Sequence, residues 1–186
     1  MTFKSTTRLF ACLLAAVCIM ACGSAAAEES AAEISVKAAI VHKIAKFVSW
    51  PATRFEQNET TLRLCVIGDR MVLDAFEALS ERPIHGRVLQ VVAAPEPNAV
   101  AESCEVLYLG EDDQRPATEW LDPIAEYPVL TFGNAGAYGA DGSIVTMTIR
   151  RNKVRFAINL AANENTGLRI SAQLLQLATK VGSPGS

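Results

Sequence analysis

From Ile34 to Trp50 the apolar residues Ile34, Val36, Ala38, Ile40, Val41, Ile44, Ala45, Phe47 and Val48 recur at helical spacing. On a helical wheel they cover roughly 200° of arc, and Ser35, His42, Lys43, Lys46 and Ser49 take most of the remainder. The pattern predicts a helix that ends at Pro51, because proline pushes the residue before it out of the αR region. Thr61 to Ile67 reads as a strand stopped by Gly68-Asp69, and Val72 to Leu79 as a helix broken at Arg82-Pro83. Val88 to Val92 is a second strand, closed by Pro95-Glu96-Pro97-Asn98, and Val106 to Leu109 a third. A short helix is expected around Arg115 to Ala125, limited by Pro116 and Pro123, and Val129 to Phe132 gives a fourth strand. Ser143 to Ile149 and Val154 to Leu160 follow as an antiparallel hairpin; in the second run Val154, Phe156, Ile158 and Leu160 alternate with Arg155, Ala157 and Asn159. Asn163 would cap a last helix reaching about Val181.

This order of elements predicts a single α/β domain. Its mixed sheet should have about six strands, helices on both faces, and a C-terminal antiparallel hairpin plus long helix. Leu168, Ile170, Ala172, Leu174, Leu175, Leu177, Ala178 and Val181 sweep roughly 220° of that last helix, where a helix on one sheet face needs only about 100°. The excess requires a second covering element. The first helix, equally wide, could supply it by packing against the last one; the other reading is a dimer or partner surface.

The N-terminus has a different character. Lys4 and Arg8 precede an uncharged apolar stretch from Leu9 to Ala21, and the small residues Gly23, Ser24, Ala25, Ala26 and Ala27 follow. This is the pattern of a secretory signal peptide, too short for a transmembrane span. Cleavage after Ala27 gives a signal peptide over 1–27, a domain over 28–181 and a flexible tail over 182–186. The alternative is a lipoprotein signal over 1–21, in which Ile19-Met20-Ala21-Cys22 acts as a lipobox and Cys22 is lipidated.

Export changes the arithmetic of the 186-residue chain, whose formal net charge is −3. Without Lys4 and Arg8 the balance is 15 basic against 20 acidic residues, and no basic excess exists to neutralise a nucleic-acid backbone. Of five cysteines, Cys12 and Cys18 leave with the signal, and Cys65 and Cys104 are the two in the domain. Oxidising conditions favour a disulfide between them over two separate buried thiols. Such a bond would stabilise the fold by roughly 4 kcal/mol in the chain-entropy account.

The catalytic inventory is thin. Only His42 and His85 occur, with neither an HExxH motif nor a Cys/His cluster at metal spacing, and no G-x-S-x-G elbow is found. Gly133, Gly136, Gly139 and Gly142 lack the Lys-Ser/Thr of a phosphate-binding loop and precede a hairpin, so they read as a flexible connection. Gly68-Asp69 stands where a strand turns into a helix, a place where open α/β sheets bind ligands, although a plain tight turn is the preferred reading. Asp112, Asp113 and Glu119 form a solvated acidic stretch with no sign of acid/base pairing. The expectation is a protein without catalytic activity, cofactor or metal.

Several segments, taken in order, resemble the YfiR-like family of periplasmic regulators. They are Lys37-Ala38-Ala39-Ile40-Val41 leading to Lys46-Phe47-Val48-Ser49-Trp50-Pro51, then Leu64-Cys65-Val66-Ile67-Gly68-Asp69, the Gly86-Arg87 turn, and Cys104-Glu105-Val106-Leu107-Tyr108. Val154-Arg155-Phe156-Ala157-Ile158-Asn159-Leu160, Gly167-Leu168-Arg169-Ile170-Ser171 and Leu174-Leu175-Gln176-Leu177-Ala178 complete the set, which spans about 34–181. The resemblance implies an α/β fold, a Cys65–Cys104 disulfide and a homodimer. It also implies a role as a non-catalytic inhibitor that binds the periplasmic part of an inner-membrane diguanylate cyclase, or another membrane sensor, and lowers cyclic-di-GMP and biofilm formation. Two departures stand out: a second disulfide of some members has no cysteines here, and Ala157 occupies a strand position where many members carry an acidic residue. Arg155, Arg169 and Gln173, beside the hairpin and in the last helix, are the candidate contact residues. The competing function is a periplasmic small-molecule binding protein feeding a membrane sensor, with its ligand near Gly68-Asp69 or in the Gly133–Gly142 region.

Overall fold

Alternation along the strands decides which face of the sheet each residue serves. In Thr61–Ile67 (β2), Leu62, Leu64 and Val66 enter one core layer while Cys65 and Ile67 enter another. Val106–Leu109 (β5) repeats the division, with Val106 and Tyr108 on the first side and Leu107 and Leu109 on the second. Both faces are covered, which is why these strands are almost unbroken apolar runs. The structure, a computed structural model, describes residues 31–55, 59–110, 115–135, 142–150 and 153–182.

The chain begins with a helix over 31–45 (α1) and a two-residue strand, Val48–Ser49 (β1). After β2 come Arg70–Glu77 (α2), Pro83–Ile84 (β3), Arg87–Ala93 (β4), Val100–Ser103 (α3), β5, Ala117–Leu121 (α4) and Leu130–Asn134 (β6). Val145–Arg150 (β7), Lys153–Asn159 (β8), Leu160–Asn163 (α5), Arg169–Ile170 (β9), Ala172–Leu177 (α6) and Lys180–Gly182 (β10) complete it. Among the described residues the main sheet has eight strands in the order β10-β8-β7-β6-β5-β2-β4-β3. Strands β4, β2, β5, β6 and β7 run parallel, while β8 turns back on β7 as the expected hairpin, from Val145↔Ile158 to Arg150↔Lys153. The mixed α/β architecture thus holds, with more strands than the six anticipated, the additions being the short edge strands β3 and β10.

The order β4-β2-β5 places a change of winding direction at β2. The chain leaves β2 through α2 to reach β4 on one side, then passes through α3 to β5 on the other. Val72 and Phe76 of α2 join the first core layer, and Val100 and Ala101 of α3 join the second, so the two helices cover opposite faces.

Two helix expectations are corrected. The first helix ends at residue 45 rather than at Trp50, and Val48–Ser49 pairs antiparallel with Arg169–Ile170 as a separate ribbon. The long C-terminal helix does not form as one element. It is divided into α5, β9, α6 and β10 because Gly167 adopts the left-handed conformation (φ 73°) and Thr166 and Asn163 bond into a turn around it. Ser171 then starts α6 afresh by accepting the Leu174 N–H at 3.2 Å. Asn163, expected as the N-cap of the long helix, lies inside α5, whose cap is Asn159. Much of the apolar surplus of the two terminal segments is used internally, although Val36 and Leu177 stay exposed. Ala38, Val41 and Ile44 share one core cluster with Leu168 and Leu174, with Ile170 and Leu175 packed against it.

Candidate functional site

Cys65 and Cys104 are joined as a disulfide, with Cα atoms 5.8 Å apart and both residues fully buried. Cys65 comes from the centre of β2 and Cys104 closes α3 as its C-cap, so the bond ties the sheet to the helix that covers its second face. The next residue, Glu105, is buried to 0% exposure. A buried carboxylate is tolerated only when paired and hydrogen-bonded. Glu105 accepts from Arg54 Nε at 3.0 Å and from the Arg63 backbone N–H at 2.7 Å, and it forms a second ion pair with the Arg63 guanidinium at 3.4 Å. Arg54 also donates to the carbonyls of Ala101 and Cys104, at 2.6 and 2.8 Å, while Trp50 Nε1 donates to the Glu105 carbonyl at 3.1 Å. Residues 50–54 are therefore clamped onto the disulfide-bearing corner. Removing one partner of such a pair costs about 3–5 kcal/mol.

The two histidines both lie where the N-terminal layer meets β3. His42 on α1 is buried, has no partner at Nε2, and packs near the backbone of Pro83 in β3. Burial, and then the nearby positive charges of Lys46 and Arg82, hold its pKa below the ordinary histidine value, opposed by the hydrogen bond with the Pro83 backbone. His85, in the turn after β3, has its Nε2 2.8 Å from the Val48 carbonyl and its ring edge-on to Trp50. Both fasten the N-terminal layer to the β3–β4 hairpin. Among the described residues no group of three His, Cys, Asp or Glu side chains is arranged to hold a metal.

Two hollows lie near the glycines singled out above. A cleft of about 450 Å³ opens at the carboxyl ends of β2 and β4, lined by Gly68, Asp69, Pro95, Glu96, Arg115 and Trp120 among others. A second, of about 370 Å³, lies between the segment after α4 and α5, with Thr131, Gly142, Ile144, Asn159 and Thr166 in its walls. Residues 136–141 of the Gly133–Gly142 region, and Asp112 and Asp113, lie outside the described residues.

The three candidate contact residues are all exposed. Arg155 stands on β8 opposite Thr148, Arg169 on β9 opposite Ser49, and Gln173 in the first turn of α6. Arg169 and Gln173 flank the cap residue Ser171, whereas Arg155 belongs to the main sheet, and no hydrogen bond or ion pair joins any two of them. Cys22 and both processing alternatives lie outside the described residues. The Arg54–Glu105 clamp went unnoticed in the sequence. Its signal was a glutamate wedged between a cysteine and a strand buried throughout, where an acid requires a cation from elsewhere.

Fold and site together define a mixed-sheet α/β domain stapled at a buried disulfide and open at the carboxyl end of its parallel strands. The family model described as YfiR/HmsC-like matches residues 34–179, and the chain belongs to that family. Membership supports, in general terms, a regulatory role in the periplasm. Among the described residues no helix is long and apolar enough to cross a membrane. Two solved structures are similar in part. A conserved domain protein from Vibrio cholerae O1 biovar eltor is 16% identical with a TM-score of 0.45, over 67% of this chain and 55% of that one. The ABC domain from Streptococcus pneumonia, in complex with L-Trp, is 12% identical with a TM-score of 0.47, over 76% of this chain and 61% of that one. The chain thus spans little more than half the length of each.

Proposed function

We propose that this protein is exported by its N-terminal signal and, as a homodimer, docks on the periplasmic part of an inner-membrane diguanylate cyclase to repress cyclic-di-GMP synthesis. The observation that carries the reading is the family match over 34–179, nearly all of the chain beyond the signal. Repression of this kind is a shift between two states of the sensor, and the inhibitor acts by its greater affinity for the inactive one. Arg155, Arg169 and Gln173, all exposed, are the residues offered for that contact.

Deletion of the gene should raise cyclic-di-GMP and biofilm mass, and the wild-type gene supplied in trans should restore both. The triple variant Arg155→Glu, Arg169→Glu, Gln173→Glu should fail to restore them while reaching the periplasm at the wild-type level and melting within about 2 °C of it, as surface substitutions do. An unchanged cyclic-di-GMP level on deletion sinks the function. Full complementation by the triple variant sinks the contact surface alone.

A further inference from the structure

The direction of the backbone hydrogen bonds along β4 locates an open edge of the main sheet. The amides of Val88 and Ala94 donate to the Thr60 and Val66 carbonyls, at 2.7 and 2.9 Å, so even-numbered residues bond toward β2. Odd-numbered residues face the other way. Arg87 meets Ile84 of β3, and the Leu89 carbonyl accepts from the Glu81 N–H at 2.8 Å while its own N–H donates to the Arg82 carbonyl at 3.3 Å. Nothing continues this cover past Leu89. The backbone N–H and C=O groups of Val91 and Ala93 point outward with no partner among the described residues. Ala93 is exposed, so another strand can approach here.

Natural sheets guard such edges with short strands, prolines or charged side chains. Two other edges of this sheet follow that rule: β3 has two residues, one of them Pro83, and β10 has three, beginning with Lys180. The edge of β4 does not. Val88-Leu89-Gln90-Val91-Val92-Ala93-Ala94 carries no charge, and its first proline comes only at Pro95. Exposed apolar side chains flank it: Val88 on β4 itself, at 47%, and Met71 on the covering helix α2, at 40%. An uncharged edge of this kind is a surface for strand pairing.

The strip is complementary to itself. A two-fold axis at Val92 sets Val91 opposite Ala93 of a second copy, and Ala93 opposite its Val91, which allows four N–H···O bonds in antiparallel register. In that register Pro95, which has no N–H, falls opposite Leu89, whose backbone groups are already taken. The pairing thus begins and ends where the free groups do. Charge points to the same occupant. Past the signal the chain has 15 basic and 20 acidic residues, so two copies repel and meet most easily across an uncharged strip.

We infer that two copies join β4 to β4, antiparallel about Val92, and so form one continuous sheet across an isologous interface. The inference rests on the homodimer proposed above and names its surface. Arg155 lies on β8, toward the opposite end of the sheet, and stays free for the membrane partner.

The test is sedimentation velocity of the purified mature protein from about 1 to 200 µM, a range suited to a small interface. Wild type should pass from monomer to dimer across it. Ala93→Pro removes an outward N–H without touching a bond to β2, a change that edge strands tolerate. Ala93→Lys brings like charges to the seam. Each should raise the dimer dissociation constant at least about tenfold, with far-UV circular dichroism establishing that the variant is folded. Amide hydrogen exchange reads the bond directly: Val91 should be protected in the dimer and lose protection on dilution, while Gln90 and Val92, bonded toward β2, keep theirs. A wild type that is monomeric throughout overturns the homodimer and this inference together; if Ala93→Lys then also fails to lower cyclic-di-GMP, the edge belongs to the membrane partner instead. A wild-type dimer that both folded variants retain overturns the edge pairing alone, as does a Val91 amide that exchanges equally in monomer and dimer. If Ala93→Pro does not fold, Ala93→Lys and the Val91 exchange decide in the same way.

Discussion

His42 shows how burial makes a polar residue in a core favour its neutral form. It sits on α1 within a buried face, with no partner at Nε2 and the positive Lys46 and Arg82 nearby. Its folded pKa is lowered, so the unfolded chain takes up its proton first as pH falls. Stability is therefore unaffected by this group above its unfolded pKa, near 6.5, and falls as pH drops from there through the lower folded value. His42→Asn keeps a donor for the Pro83 backbone and removes the titration. Melting temperature followed from about pH 7.5 to pH 5, before most carboxylates protonate, should decline more steeply for wild type than for the variant. Parallel curves would show that His42 does not supply the slope. The sequence placed this histidine on the polar side of its helix, among Ser35, Lys43 and Lys46, and missed its burial. A helical wheel assigns faces relative to one partner. Here α1 meets both the sheet layer and β3, so part of the polar arc is covered as well.

At the scale of elements, the parallel strands were readable because burial on both faces leaves no alternative to apolar runs, and the β7–β8 hairpin because its second strand alternates strictly. The C-terminal region was not, because spacing that suits one long helix also suits a turn, a two-residue strand and a new helix, each contributing to the same core. What decides the outcome is local and polar: Asn163, Thr166 and Gly167 close one turn, and Ser171 opens the next helix. Gly167 carries the divergence from a continuous helix, with φ at 73° and Pro51 Cγ 3.7 Å from where a Cβ would lie. That distance is ordinary contact, so an alanine there pays for conformation and not for collision. Gly167→Ala should lower unfolding free energy by about 1–2 kcal/mol with an unchanged m-value in urea. Equal or greater stability would mean that the left-handed residue does not set the path of the chain. The short β1–β9 ribbon depends on this turn, since Ile170 must return to meet Val48 and the Ser171 N–H must reach the Phe47 carbonyl at 3.0 Å.

At the scale of the molecule, the disulfide and the Arg54–Glu105 clamp unite three parts of the chain that are distant in sequence. The bond spans 39 residues, from Cys65 to Cys104, and that loop contains α2, β3, β4 and α3. Arg54 and Trp50 reach the same corner from the N-terminal segment, so loosening it would release the N-terminal layer together with one face of the sheet. The cysteines themselves were legible from export and resemblance, whereas the clamp depends on tertiary approach across about 50 residues, which no local pattern encodes. Thiol–disulfide exchange requires a thiolate to reach sulfur, and both cysteines are at 0% exposure. Reduction must then wait for the second core layer to open. A redox signal acting through this bond would govern how much protein is folded rather than toggle a native surface. Cys65→Ala with Cys104→Ala should lose about 4 kcal/mol of stability, a large share of the ~5–15 kcal/mol of an ordinary domain. In wild type under dithiothreitol, thiol release should follow the opening rate and accelerate in sub-denaturing urea. Rapid reduction in native buffer, with circular dichroism and melting temperature unchanged, would reverse this account and make the bond a surface switch after all.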